Sequence, residues 1–325
     1  MGKSFDVVAL GELLIDFTDN GPSAQGNRLF EANPGGAPCN VLAMLSRLGR
    51  RTAFIGKVGD DLFGRQLKET IGALGIDTAD LYMDERVKTT LAFVQTLPGG
   101  DRDFSFYRDP GADIMLTADE VREERLTDTR IFHFGTLSLT YSGIRAATQK
   151  AVRIAKAGGA LISFDPNLRP PLWASLEEAH AQTAYGLAQC DVLKIADNEI
   201  LWFTGERDYD AAVAALRREY PIPLVLLTLG REGSRAYFGD LRVDVPAFLQ
   251  AGTIETTGAG DTFCACCLHH ILRTGLDALD EAGLTEMLTF ANAGASIITT
   301  RRGALKVMPT PEEIAALCAA GKDTQ

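Results

Sequence analysis

The segment Thr256-Thr257-Gly258-Ala259-Gly260-Asp261-Thr262-Phe263 is a turn of small residues that leads directly into a helical pattern. Apolar residues follow in two rows at helical spacing, and the pattern stops at Gly275, a typical helix C-cap. The two rows are Phe263, Cys267, Ile271 and Cys264, Leu268, Leu272. The segment therefore predicts a helix whose first turn contains two glycines and an aspartate.

The first turn of such a helix is suited to bind an anion. Its N–H groups have no intrahelical partner, and the positive end of the helix dipole favours a phosphate or a developing oxyanion. Asp261 can accept a proton beside that anion. An anion site next to a base indicates phosphoryl transfer to a hydroxyl. The same residues are equally compatible with a tight turn and an acidic helix start that have no catalytic role.

Two other glycine-rich motifs fit the segment less well. A dinucleotide-binding fingerprint requires a third glycine where Phe263 stands, and it follows the first strand of a βαβ unit. A phosphate-binding P-loop ends in Gly-Lys-Ser/Thr, which is absent from the segment. A dinucleotide oxidoreductase is therefore disfavoured.

Length and composition predict a single α/β domain over residues 1–325, with 46% hydrophobic residues. The N-terminus lacks a signal-peptide pattern and no run approaches the ~18 apolar residues of a membrane span, so we expect a cytoplasmic protein without a membrane partner. The six cysteines show no CxxC pair and are expected to be reduced. A net charge of -11 argues against a nucleic-acid partner.

Strands alternate with helical patterns along most of the chain, which predicts a doubly wound, mostly parallel sheet flanked by helices. The predicted strands lie at 6–10, 131–135, 160–165, 191–196 and 224–229. Ligands bind at the carboxyl ends of the strands in such sheets. Asp16 follows the first strand and Arg169 follows the third, so both are candidate ligand-binding residues, although Arg169 could instead pair with Asp165.

A second glycine-rich turn, Gly35-Gly36, precedes a helical pattern with apolar positions at Val41, Leu45 and Leu48. Adjacent glycines permit a ligand to approach the backbone, and Asn40 in the first helical turn can both donate and accept hydrogen bonds. A capped turn without a ligand is the alternative.

Residues 89–97 and 103–108 read as two strands joined by Pro98-Gly99-Gly100-Asp101, a hairpin signal. The first strand is apolar on both sides, and Phe106 and Arg108 share one face of the second. Because apolar residues lie on both faces of this hairpin, both faces need to be shielded from water. This predicts a lid, with one face over a substrate and the other against a partner subunit or the core.

The segment 256–263, together with 35–40 and the residues at the strand ends, resembles the ribokinase-like (PfkB) family of carbohydrate kinases from Val7 to about Pro309. Segments 106–113 and 165–173 most resemble its fructokinase branch. The resemblance implies a ribokinase-like fold with a small β-sheet lid, formed by two excursions at about 13–33 and 88–108. Because the hairpin is apolar on both faces, we expect a homodimer in which the lids cover one another.

The function that the resemblance implies is an ATP-dependent sugar kinase, a fructokinase that makes D-fructose 6-phosphate. A 2-keto-3-deoxygluconate kinase or a ribokinase is the alternative within the family. An inert sugar or nucleotide sensor on the same fold is the alternative outside enzymes.

The resemblance also assigns residues. Asp261 is the catalytic base and the anion hole is formed by Gly258, Ala259 and Gly260, which also contact the nucleotide. The sugar-binding residues are Asp16, Gly35, Gly36, Asn40, Phe106, Arg108, Arg169 and Asp261. The other nucleotide-binding residues are Thr228, Gly230, Gly233 and Asn292.

The implied cofactors are ATP and Mg²⁺, and the family motif Asn-x-x-Glu holds Mg²⁺ through water. Ala196 stands where that Asn is expected, so only Glu199 is carried over as an indirect Mg²⁺ residue. Glu255 replaces the Asp that contributes to a monovalent-cation site in many members. Since a cation requires oxygens at a fitted distance, the longer side chain puts K⁺ binding in doubt and predicts weak or absent potassium activation.

Overall fold

The computed structural model describes residues 2–96 and 102–322, so the predicted hairpin turn Pro98-Gly99-Gly100-Asp101 lies outside the described residues. The described strands are β1 (Phe5–Leu10), β2 (Leu14–Pro22), β3 (Arg28–Gly35), β4 (Thr52–Gly59), β5 (Ile76–Asp84), β6 (Leu91–Thr96), β7 (Arg102–Tyr107), β8 (Thr129–Gly135), β9 (Leu161–Asp165), β10 (Val192–Ala196), β11 (Leu224–Thr228), β12 (Ser234–Phe238) and β13 (Leu241–Val245). The described helices are α1 (Ala37–Arg47), α2 (Leu62–Ala73), α3 (Glu123–Thr127), α4 (Ser142–Ala157), α5 (Leu176–Gln189), α6 (Asp197–Thr204), α7 (Tyr209–Glu219), α8 (Ala259–Thr274), α9 (Glu281–Ile298) and α10 (Pro311–Lys322).

Nine of the described strands form one sheet in the order β13-β12-β11-β10-β9-β8-β1-β4-β5. Pairing is parallel from β5 to β11 and antiparallel only where β12 and β13 extend one edge. The chain leaves β1 towards β4 on one side and later returns to add β8 on the other. This reversal creates the crevice in which α/β sheets bind ligands, and the predicted doubly wound, mostly parallel sheet is confirmed.

Helices cover both faces of this sheet, which explains why its central strands are apolar almost without alternation. One buried cluster joins the sheet to α1, α2, α8, α9 and α10, and a second cluster joins the opposite face to α3, α4, α5, α6 and α7. Strand β4, for example, is buried at each of its positions. The charged residues that do occur inside these strands therefore require a specific explanation.

The predicted small sheet is also present, as four strands in the order β3-β2-β6-β7. Strands β2 and β6 pair in parallel, so two excursions that are distant in sequence form one sheet. Two details differ from the sequence prediction. Asp16 lies within β2 rather than at the end of the preceding strand, and the polar stretch 19–33 supplies much of β3.

The first hairpin strand begins at Leu91 rather than at the predicted Thr89. The N–H and the hydroxyl of Thr89 both donate to Asp61 at 2.8 Å, and Asp61 is the N-cap of α2. Those side-chain bonds take the place of ladder bonds at this residue.

Within the described residues, no helix is both long and apolar enough to cross a membrane.

The packing of α5 against the sheet gives a stability prediction. A Cβ on Gly186 would stand 2.2 Å from Cζ of Phe164, whose side chain is fully buried on β9 and has no room to move. We expect Gly186→Ala to lower the free energy of unfolding by about 1–3 kcal/mol, measured by urea denaturation. The control is Gly72→Ala in α2, where the nearest atom is 3.9 Å from the added carbon. That change should stabilise by up to about 1 kcal/mol, and equal effects of the two substitutions would contradict the packing argument.

Candidate active site

A cavity of about 510 Å³ lies at the carboxyl ends of the central strands, between the small sheet and the first turns of α1 and α8. Most residues assigned to the sugar and the anion hole line it: Asp16, Gly36, Asn40, Phe106, Arg169, Gly258, Gly260 and Asp261. Glu12, Asn167, Lys194, Thr256 and Thr257 also line it and were not among the assigned residues. The fold thus brings together residues from six separate segments of the chain.

Helix α8 begins as the sequence predicts, with Gly258 as its N-cap and Gly275 as its C-cap. Gly258 has φ 75°, and a Cβ there would stand 2.8 Å from Cβ of Ala304, so both conformation and space require glycine. The helical hydrogen bonds begin with Thr262 N–H donating to Gly258 O at 2.8 Å. The N–H groups of Gly260 and Asp261 therefore lie at the positive end of the helix, where an anion is favoured, while the N–H of Ala259 donates to the Thr256 carbonyl at 3.2 Å.

Asp261 lies in this first turn with 9% of its surface exposed. Burial, with the nearby Asp165 carboxylate, raises the pKa of Asp261 to about 6, against the opposing effects of Asn40, Lys194 and Arg169. Its Oδ2 accepts a hydrogen bond of 2.8 Å from Nδ2 of Asn40. The group is therefore an ionised carboxylate near neutral pH and is basic enough to accept a proton from a bound hydroxyl.

Asn40 links the two glycine-rich turns. While its Nδ2 donates to Asp261, its Oδ1 is buried and has no hydrogen-bond partner among the described residues. A buried acceptor without a partner is unfavourable, and a ligand hydroxyl in the cavity would satisfy it. This oxygen is therefore placed to accept a hydrogen bond from a ligand in the cavity beside Asp261.

Glu12 is a site residue that the sequence analysis missed. Its side chain is buried and accepts the N–H of Ala37 at 2.8 Å, which fixes the start of α1. Burial raises its pKa to about 7. A Cβ on Gly36 would stand 2.4 Å from the Glu12 carbonyl oxygen, so the two segments are in close contact. The sequence feature that could have identified Glu12 is an acidic residue directly before the apolar residues Leu13 and Leu14, just after β1.

Lys194 is the second missed residue, and it forms an ion pair with Asp165. Nζ of Lys194 lies 3.0 Å from Oδ2 and 3.2 Å from Oδ1 of Asp165, whereas Nη1 of Arg169 donates to the Leu168 carbonyl at 3.1 Å. Burial by itself lowers the pKa of Lys194, but the carboxylates of Asp165, Glu199 and Asp261 raise it above its ordinary value. A lysine inside the apolar strand VLKIA was the available signal.

Three residues assigned with the sugar or the anion hole lie next to the cavity rather than lining it. Arg108 forms a buried ion pair of 2.6 Å with Asp113, and it lines a neighbouring cavity of about 590 Å³. Gly35 lies so close to Asp16 that a Cβ would stand 2.3 Å from Oδ2 of that carboxylate. Ala259 is the first residue of α8. Contact of Arg108 with a substrate stays a prediction.

The residues assigned to the nucleotide lie at the sheet edge beyond β11. Gly233 has φ 112°, and a Cβ there would stand 2.1 Å from the Val245 carbonyl oxygen, so it permits the turn between β11 and β12. Asn292 donates to the Val245 carbonyl at 3.0 Å and accepts from Ser234 at 2.9 Å. These bonds give Asn292 a structural role in joining α9 to the edge strands. Nucleotide contacts of Asn292, Thr228, Gly230 and Gly233 stay predictions.

The two candidate metal residues make backbone contacts. Glu199 accepts the N–H groups of Leu168 at 2.7 Å and Ala196 at 2.9 Å. Glu255 accepts the N–H of Gly303 at 2.9 Å. The described residues contain no cluster of three or more His, Cys, Asp or Glu side chains that could hold a metal ion.

A larger cavity, of about 1330 Å³, lies among α8, α9 and α10 and shares no residue with the cavity around Asp261. Its lining combines apolar residues such as Phe290 and Ala315 with polar and charged ones such as His270, Arg273 and Glu286. We place the chemistry in the smaller cavity because Asp261, the first turn of α8 and the unpartnered Oδ1 of Asn40 converge there.

Comparison with known proteins agrees with this geometry. Residues 4–311 match the model of the pfkB family of carbohydrate kinases. Fructokinase-1 of Zea mays is 41% identical over 313 residues, which cover 95% of this chain and 96% of that protein. The crystal structure of fructokinase with bound ATP from Xylella fastidiosa has a TM-score of 0.89 at 30% identity and covers 98% of this chain and 99% of that one.

A second solved structure contains a sugar. The fructokinase from Vibrio cholerae O395, in its fructose, ADP and calcium ion bound form, has a TM-score of 0.87 at 29% identity. The match covers 97% of this chain and 99% of that one. The similarity thus includes every segment that contributes to the cavity.

Proposed function

Because this chain belongs to the pfkB family of carbohydrate kinases and is a phosphotransferase that acts on a sugar hydroxyl, we propose that it is a fructokinase. It transfers the γ-phosphoryl group of ATP to D-fructose and forms fructose 6-phosphate and ADP. The observation that carries the proposal is the convergence of Asp261, the α8 N-terminus and the unpartnered Oδ1 of Asn40 in one cavity. The identity of the sugar rests on the 41% identity to a fructokinase.

Each protein group then has a role in the transfer. Asp261 accepts the proton of the sugar hydroxyl as that oxygen attacks the γ-phosphorus. The N–H groups at the start of α8 bind the oxygens of the transferring phosphoryl group, where charge develops. Asp16 and Asn40 orient the sugar through its hydroxyl groups, and Phe106 on the small sheet covers it. Exclusion of water by that sheet directs the phosphoryl group to the sugar.

Mg²⁺ fits this chain as a companion of ATP. The ion neutralises phosphate charge and keeps several waters, so it does not need a cage of protein ligands. Glu199 is suited to hold such a water, since each of its oxygens accepts one backbone N–H and a carboxylate oxygen can accept more than one hydrogen bond.

The free thiols of the cysteines support a cytoplasmic location for the reaction.

The proposal is tested by assaying ADP formation and sugar phosphate production with ATP, Mg²⁺ and a panel of sugars. We expect kcat/KM to be highest for D-fructose, with lower values for 2-keto-3-deoxygluconate and ribose. A preference for either of those sugars would contradict the fructokinase proposal while leaving the kinase assignment intact. Binding of sugar and nucleotide without single-turnover phosphorylation would instead identify an inert sensor.

Asp261→Asn is the matched variant for that assay. Asparagine keeps the shape of the side chain but cannot accept the proton, so we expect turnover to fall by roughly 10²–10⁴ with little change in sugar affinity. In the unmutated protein, kcat/KM should rise with pH through about 6, as Asp261 ionises, and level off above. The control is Asp119→Asn, an exposed aspartate outside the cavity. Near-normal kcat in Asp261→Asn would disprove the assignment of the base.

Potassium dependence follows from Glu255. The extra methylene lets its carboxylate reach the N–H of Gly303, which commits one oxygen to the backbone. We therefore propose weak or absent potassium activation, and we expect Glu255→Asp to increase it. The measurement is kcat/KM for fructose with potassium replaced by tetramethylammonium at constant ionic strength. Strong activation of the unmutated protein, unchanged in Glu255→Asp, would show that the substitution has no effect on the cation site.

We also propose a homodimer in which the small sheets cover one another. The face opposite the cavity bears a cluster of aromatic rings, with Phe17 stacked on Phe93 at 4.9 Å and Tyr107 in edge contact with Phe93 at 5.3 Å between ring centroids. Tyr107 is 65% exposed and Phe30 is 37% exposed. Apolar surface of this kind is unfavourable in water unless a partner covers it.

Sedimentation at working concentration tests the dimer. We expect the unmutated protein to sediment as a dimer and the double variant Phe30→Ser/Tyr107→Ser to shift to a monomer with reduced kcat/KM. Leu176→Ser is the control, since this side chain is 52% exposed at the start of α5, outside the small sheet. A fully active monomeric unmutated protein would contradict the proposal.

A further inference from the structure

Lys194 occupies an unusual position for a charged residue. It is the middle residue of β10, between Leu193 and Ile195, which are both fully buried, and only 6% of its own surface is exposed. Transferring an ammonium group from water into such a place is costly unless it is paired. Because apolar residues fill the rest of this strand, packing alone does not account for a lysine at this position.

The ammonium lies against the first turn of α8. A Cβ built on Gly260 would stand 3.1 Å from Nζ and 3.5 Å from Cε of Lys194. Both residues line the cavity that contains Asp261. The fixed cation is therefore next to the backbone N–H groups that form the anion site, and glycine at 260 leaves the space between them open.

Three carboxylates, on β9, α6 and α8, surround the Lys194 ammonium. Asp165 on β9 holds Nζ through both of its oxygens, while Glu199 on α6 and Asp261 on α8 are the next carboxylates. Two neutral residues, His133 on β8 and Cys264 on α8, also lie within the electrostatic influence of the Lys194 charge. Three carboxylates surrounding one site would repel a triphosphate, so a fixed cation beside the α8 N-terminus is needed to admit the γ-phosphoryl group.

The hydrogen bonding of Lys194 leaves donors for a ligand. An ammonium group has three N–H donors, and its described hydrogen bond, of 3.2 Å to Oδ1 of Asp165, uses one of them, while Oδ2 lies 3.0 Å away as an ion-pair contact. Asp165 is the only hydrogen-bond acceptor of Nζ among the described residues. Since Nζ borders the cavity, a remaining N–H is available to an oxygen atom bound at the α8 N-terminus.

We propose that Lys194 is a further catalytic residue whose ammonium contacts the transferring phosphoryl group, and that Asp165 is the positioning residue that holds it there. The inference rests on the proposed kinase function. As the sugar oxygen bonds to the γ-phosphorus and its proton passes to Asp261, the bond from that phosphorus to the bridging oxygen breaks and its electron pair leaves with ADP. Lys194 keeps its protons throughout and offsets the charge on the non-bridging oxygens.

The main test is Lys194→Met, which keeps an unbranched apolar side chain, one heavy atom shorter, and removes the charge. We expect kcat to fall by roughly 10²–10³, with KM for fructose and ATP within about threefold of the unmutated values. The second readout is calorimetric binding of ADP in the presence of fructose and aluminium fluoride, which mimics the planar phosphoryl group. The variant should lose affinity for that complex by a factor similar to its loss of kcat, while it binds ADP alone normally.

A third readout uses pH. Among the groups facing Asp261, Lys194 and Arg169 are cations and Asp165 is an anion, and Asn40 donates to the carboxylate. Removal of the Lys194 charge should therefore move the acid limb of kcat/KM to higher pH, because the pKa of Asp261 rises. A residue with a purely structural role would not move this limb.

Two further variants separate charge from folding. Lys194→Met/Asp165→Asn removes the uncompensated carboxylate, so it should fold with normal stability and remain as inactive as the single variant. Lys57→Met is the matched control, since Lys57 is a buried lysine paired with Glu120 at 2.6 Å outside the cavity. It should keep full activity once folded.

The outcomes distinguish this inference from the proposed function. Fructose phosphorylation by the unmutated protein, together with a kcat of Lys194→Met within threefold of normal, overturns the inference alone. Equal losses of affinity for ADP and for the fluoride complex also overturn it, since the contact would not be specific to the transferring group. Absence of fructose phosphorylation by the unmutated protein overturns both.

Discussion

The hydrogen bond from Asn40 to Asp261 joins two helix N-termini that are 221 residues apart in sequence. It places the second glycine-rich turn against the first turn of α8, and in our proposal these two turns bind the sugar and the phosphate respectively. The bond also lowers the pKa of a carboxylate that burial and Asp165 raise, so that the base stays ionised near neutral pH. The remaining site residues are arranged around this contact, because both helices start at the carboxyl edge of the same sheet.

Charge balance is the second constraint on the site. Glu12, Asp165, Glu199 and Asp261 are all buried, and each carboxylate depends on a specific donor. Backbone N–H groups supply the donors for Glu12 and Glu199, Asn40 supplies one for Asp261, and Lys194 supplies one for Asp165. Such a network is sensitive to the loss of any single member, since an uncompensated buried charge is far costlier than an unmade neutral contact.

The small sheet uses its two faces differently, and its parallel β2–β6 pairing makes this possible. Residues directly opposite on neighbouring strands share a face, so Asp16 and Phe106 point to the cavity while Phe17, Phe93 and Tyr107 lie on the other side. In our proposals the same small sheet therefore presents one face to a partner subunit and the other to the sugar. A change in association at one face would alter the position of the residues at the other.

The sequence by itself predicted the alternation of strands and helices and the start and end of α8, because these depend on local periodicity and on backbone needs that neighbouring residues reveal. Only the tertiary structure decided which charges meet. Lys194 and Asp165 come from separate strands, Glu12 reaches the N–H of Ala37 across a whole excursion, and Arg108 turns to Asp113 instead of the cavity. Partners of buried charges depend on strand order and side-chain direction, and neither can be obtained from the spacing of residues along the chain.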